Sequence, residues 1–135
     1  MRRLLILSFA SLLAAGCACD PAAEACELAG SGAIDCGYAR LGEDRTAVTD
    51  CLDAAIESGD RAFGGWQELG LDSELRVFFT LRTDRTYRLL YDGDVSGGGD
   101  RGAQITVFPC DGPPVRSASG YWCTGSAQEP YTICD

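Results

Sequence analysis

Histidine, lysine and asparagine are missing from this 135-residue chain, and methionine occurs once. Each gap removes chemistry. Without His there is no Ser-His or Cys-His dyad and no imidazole ligand for a metal. Without Lys there is no Schiff base, no Ser-Lys pair and no P-loop lysine. Positive charge is scarce as well. All 11 basic residues are Arg, against 20 acids, for a net charge of -9. A field of that sign repels DNA and RNA. No basic run interleaved with aromatics offsets it, so no nucleic-acid partner is expected. No CxxC occurs, which argues against a thioredoxin-like redox site and a zinc ribbon. Carboxylate pairs of glycosidase type remain open among so many acids, but a small single layer offers little cleft for them. No enzyme is expected.

What is present begins with an address. Met1-Arg2-Arg3 is a short cationic segment, and residues 4–13, LLILSFASLL, are apolar. That run is too short for a membrane-spanning helix, which needs roughly 20 residues. It reads as the core of a secretory signal over residues 1–16. A plain secretory site ending at Ala15 or Gly16 is the alternative. The sequence LLAAGC, ending at Cys17, resembles the lipobox of bacterial lipoproteins, with Ala14 in the place that usually carries Leu. The resemblance implies a diacylglyceryl thioether on the Cys17 sulfur, cleavage before Cys17 and acylation of its new amine. The acyl groups, such as palmitate, would anchor the protein to a membrane. Ala18 in place of Asp lacks what resembles an inner-membrane retention signal. The implied location is the cell envelope, at the outer membrane, facing the periplasm or the cell surface. The chain resembles small Cys-rich lipoproteins of high-GC Gram-negative bacteria.

Residues 17–33 are Ala-rich, acidic and punctuated by Gly and Ser, and read as a flexible tether, with a short helix over residues 22–29 as the alternative. Residues 34–135 form one domain of about 100 residues, enough for a modest core. Val48, Cys51, Leu52, Ala55 and Ile56 recur at helical spacing over residues 44–58, with Asp44 as N-cap and Gly59 as the stop. Then the period changes to two. Leu75, Val77, Phe79 and Leu81 alternate with Arg76, Phe78, Thr80 and Arg82. Tyr87, Leu89 and Tyr91 repeat the pattern after a turn at Thr83-Asp84. Ile105 and Val107 make a further strand, residues 63–69 an earlier one, and residues 121–124 a short last one. The expected class is α+β, with one helix packed on a four- to five-stranded antiparallel meander and stapled by disulfides. This order is similar to cystatin-like folds, an analogy at fold level that implies a protease inhibitor as an alternative function.

Eight cysteines are a high density for this length. Export would place them in an oxidising compartment, where disulfides are the default. The expected bonds are Cys36 to Cys51, Cys110 to Cys123, and Cys134 to Cys26. With Cys17 lipidated, Cys19 is the one left over.

Three further constellations each have a bland and a functional reading. Asp92, Asp94, Ser96 and Asp100 place oxygens near Gly97 and resemble the first half of an EF-hand loop, although Ala103 stands where a bidentate Glu belongs. The bland reading is a solvated hairpin loop; the functional one is a calcium-stabilised recognition domain. Calcium is the only cofactor in view. Strand alternation puts Arg76, Arg82 and Arg88 on one face, either as ordinary solvated surface or as a patch for an anionic envelope component. Trp66, Tyr121 and Trp122 line a ligand groove or fill the core. The sequence thus points to a membrane-anchored, non-catalytic envelope or binding module with an unidentified envelope partner.

Overall fold

The computed structural model describes residues 20–70, 73–94, 104–117, 120–123, 125 and 128–133. The expected lipid site Cys17, the leftover Cys19, and Cys134 lie outside them. Among the described residues no helix is long and apolar enough to cross a membrane.

The fold is α+β and disulfide-stapled, with more layers than the alternation predicts. The chain opens on helix α1 (Pro21–Ala29), followed by strand β1 (Ile34–Ala39) and helix α2 (Thr46–Ser58). Four long strands come next: β2 (Ala62–Leu69), β3 (Ser73–Leu81), β4 (Thr86–Asp94) and β5 (Gln104–Cys110). Three short ones close the chain: β6 (Val115–Ser117), β7 (Gly120–Trp122) and β8 (Tyr131–Ile133). A six-stranded sheet runs β1-β2-β3-β4-β5-β8, and β6 and β7 form a separate hairpin. Every pairing in the large sheet is antiparallel except β1 with β2, which α2 joins as a crossover.

Residues 17–33 are not simply a tether, because residues 21–29 form a docked helix. Asp20 caps α1 by accepting from the Ala22 N–H at 3.0 Å, and Pro21 sits in the first turn, where its missing N–H costs nothing. Pro21, Ala25 and Ala29 are buried. Their spacing of four lays a narrow stripe of small side chains against the sheet. The Thr80 hydroxyl completes the contact, donating to the Ala25 carbonyl at 3.1 Å inside the protein. Composition suggested flexibility, but Ala is also the best helix former, and the sheet supplies the surface that makes this helix stable.

Strand β1 alternates in sequence, Ile34, Cys36 and Tyr38 against Asp35 and Gly37, yet Cys36 and Tyr38 pack on opposite faces of the sheet. Its register shifts between Asp35 and Tyr38, where Gly37 adopts φ +85° and donates its N–H to Asp35 Oδ1 at 2.8 Å. That is the use of glycine at a bulge. Helix α2 forms where expected and stops at Gly59 (φ +75°), with Val48, Thr49, Leu52 and Ala55 buried. Its cap residue is Arg45. Asp44, one residue earlier, still serves the first turn by accepting from the Thr46 N–H at 2.9 Å.

The helices lie on opposite faces of the sheet. Leu52 and Ala55 of α2 pack with Trp66, Val77, Phe79 and Leu81. Ala25 and Ala29 of α1 pack with Phe63, Phe78, Leu89, Ile105 and Val107. Strand β3 is therefore buried from Val77 through Leu81 without a break. A Cβ on Gly64 would come within 2.9 Å of the Cys36 Cβ and 3.1 Å of Val48 Cγ1, so glycine there lets α2 and β1 settle onto the sheet.

Among the described residues two disulfides staple this arrangement: Cys36 to Cys51 joins β1 to α2, and Cys110 to Cys123 joins the end of β5 to the segment after β7. The expected Cys26 to Cys134 bond is corrected: Cys26 carries a free, exposed thiol. It sits on the outer side of α1, one residue past buried Ala25, so the docking of the helix turns it to solvent.

Leu52, fully buried in α2, should lose about 2–5 kcal/mol of stability on substitution by Ala, through lost burial and a residual cavity. Arg82→Ala should cost about 0.5 kcal/mol or less. Urea melts compare the two. Removing the Cys36–Cys51 bond, whose ends are 15 residues apart, should cost roughly 3 kcal/mol in the chain-entropy model, read from melts of the double Cys→Ala variant.

Candidate functional site

The β3–β4 hairpin decides where the arginines go. Leu81 pairs with Thr86, and the turn at Thr83-Asp84 is closed by Arg82 N–H donating to the Arg85 carbonyl at 2.9 Å. The connection is even in length. Odd positions of β3 therefore stand beside even positions of β4: Phe79 by Arg88, Val77 by Leu90, and Phe78 by Leu89 shifted in parity the same way. Residues paired across a ladder share a face. Arg76 thus lies on the α1 face and Arg88 on the α2 face, while Arg82 belongs to the turn. The expected common patch of Arg76, Arg82 and Arg88 does not form. Alternation holds within each strand, but parity does not carry across this turn.

The partners of these arginines differ as well. Arg76 Nε donates to Glu74 at 2.8 Å, and its guanidinium lies 5.2 Å from the Tyr91 ring centroid. Arg82 Nε donates to Asp84 at 3.1 Å. Such half-exposed pairs contribute little. Arg88 is half-buried and pairs with no acid among the described residues. Its guanidinium lies 5.5 Å from the Phe108 ring centroid, and its Nε is buried with no hydrogen-bond partner. Burial weakens its hold on its proton, opposed by the more distant Glu68 carboxylate. An arginine remains charged through such a change.

The aromatics separate in the same way. Trp66 and Tyr121 are core residues, 1% and 4% exposed, whereas Trp122 is 53% exposed. Alternation along β7 turns Tyr121 inward and Trp122 outward, so the three line no common groove. Trp66 stacks on Phe79 with centroids 5.7 Å apart, and Tyr121 lies 5.6 Å from Phe79. Each buried ring keeps a polar handle at the surface. Trp66 Nε1 donates to Glu68 at 2.7 Å, and Arg45 donates to the same oxygen at 3.3 Å. The Tyr121 hydroxyl reaches the Thr49 carbonyl at 2.9 Å and bonds the Asp53 carboxylate. Arg116 holds Asp53 at 2.6 Å and Asp50 at 3.1 Å.

Of the expected calcium ligands, Asp92 lies in β4, opposite Leu75 and Gln104. The side chain of Asp94, and Ser96 and Asp100 altogether, fall outside what is described. Two depressions flank α2. A cleft of about 230 Å³ lies between Ile56 and Asp60 at its end, Arg82 and Arg85 of the turn, and Pro113. The other, about 390 Å³, lies at its start and is lined by Arg45, Thr46 and Arg116. The arginines of this second depression already hold acids. No family model, curated protein or solved structure matches this chain.

Burial first, and the bond to Asp53 second, raise the Tyr121 phenol well above its usual value. The folded state then keeps this proton more tightly than the unfolded chain does. The stabilisation is full below about pH 10, the unfolded value, and is lost as pH climbs through the folded value. Tyr121→Phe should cost about 1 kcal/mol at neutral pH. It should also make the alkaline loss of stability shallower than in the parent, as read from urea melts above pH 9.

Proposed function

We propose that this chain is a lipid-anchored protein of the bacterial cell envelope whose folded domain is a non-catalytic binding module. The lipobox-like sequence ending at Cys17 carries the reading, and the disulfides support it. Cys36 to Cys51 and Cys110 to Cys123 are bonds of a kind that persists in exported proteins. The position of α1 adds a geometric consequence. Its cap, Asp20, follows Cys17 after only Ala18 and Cys19. An acylated Cys17 would hold the domain directly against the membrane, with the start of α1 toward the lipid. The acidic surface, at a net -9 for the chain, disfavours nucleic acid as a partner and suits a ligand of low charge. An envelope component is the expected partner, at the outer membrane by the identity of Ala18.

Cys17→Ser should abolish lipidation, because only the thiol accepts the diacylglyceryl group. The variant should lose incorporation of labelled palmitate and leave the detergent phase on partitioning. A variant that still incorporates label and partitions like the parent would sink the anchor reading.

A further inference from the structure

We propose that Arg88 anchors a small carboxylate carried on an apolar body, bound on the part of the α2 face that strands β4 and β5 provide. This deepens the binding-module reading and rests on it. Arg88 is unusual among the described arginines. Arg45, Arg76, Arg82 and Arg116 hold acids, Arg61 donates to the Ser31 carbonyl and Arg85 to Gln128, and Arg40 is exposed. Arg88 is half-buried and makes no hydrogen bond or ion pair with any described residue. A desolvated cation without an acid among the described residues is an energetic cost left standing. A bound anion would offset it.

The geometry sets the mode of binding. Nε is shielded, so an anion must come end-on to the two terminal nitrogens, which are not sealed in the interior. That edge of the guanidinium matches the two oxygens of a carboxylate. The guanidinium lies over the Phe108 ring, 5.5 Å from its centroid. By register, Leu90 and Thr106 form the next row on this face, both half-buried. Leu90 also packs against the α2-side core, so its half-exposed remainder beside Thr106 is what this row presents to the body of the ligand. Partial burial strengthens the pairing relative to open water. The net charge of -9 selects a monoanion over a polyanion.

Benzoate is the probe, with benzyl alcohol as its uncharged counterpart and inorganic phosphate as an anion without an apolar body. The full chain, as purified, is titrated with each while the Arg88 Nε–H and Phe108 ring resonances are followed by NMR. Benzoate should shift both sets saturably. Benzyl alcohol and phosphate should each bind at least tenfold more weakly, and the benzoate response should weaken with added salt. Arg88→Met should retain or gain thermal stability, since it removes an unpaired charge, and should lose benzoate binding about tenfold or more. Absence of saturable shifts, equal binding of benzyl alcohol, or unchanged binding by the folded Arg88→Met protein would each overturn the proposal. So would a marked loss of stability in that variant, which would make the cation structural. Palmitate labelling is independent of all these readouts, so failure here leaves the anchor reading standing.

Discussion

Five consecutive side chains in the middle of the sheet, Val77 through Leu81, are withdrawn from water. Neighbours along a strand point to opposite faces, so this burial is achieved only if both faces are covered. The rest of the architecture answers that demand. Helix α2 covers Val77, Phe79 and Leu81, and helix α1 covers Phe78 and Thr80. The covering helices come close because the contacts are small: Ala25 and Ala29 on one side, Gly64 beneath Val48 on the other. A domain of this size has little area to spare, and two covered faces extract more burial from each strand than one. The disulfides reinforce the same layers, one tying α2 to β1 and the other the far end of β5 to the chain beyond β7.

Charge is managed at the rim of this core. Trp66 and Tyr121 bury large rings and pass their polar atoms outward to Glu68 and Asp53, each of which also holds an arginine. These carboxylates are satisfied from both sides, a buried donor and a surface cation, so the rings sink without stranding a hydrogen bond. Arg88 breaks the pattern. It lies on the same face as Phe79, stacked on Phe108, with a shielded Nε and no acid among the described residues. The contrast with Arg116, which holds two carboxylates in the open, is what singles it out.

The docked helix at the start of the domain bears on how the protein would be presented. A long flexible tether would let the domain swing freely above a membrane. A helix capped at Asp20 and pinned through Thr80 fixes the direction in which the chain leaves the sheet. In the sequence only Ala18 and Cys19 separate Cys17 from this helix.

The chain's own pattern was enough for the α+β class, the α2 helix with its stop at Gly59, the long strands and two cysteine pairings. These depend on periodicity, turn chemistry and short spacing, all local quantities. Three things were decided by the tertiary structure. Helix α1 was legible only as an option, since an Ala-rich stretch of nine residues has little stability of its own and becomes a fixed element only by docking on the sheet. Strand β1 pairs in parallel through a crossover, and its glycine bulge sends Cys36 and Tyr38, two residues apart, to opposite faces. The arginines part company because the turn at Thr83-Asp84 sets the register between strands, and one step of register exchanges the two faces of every residue beyond it.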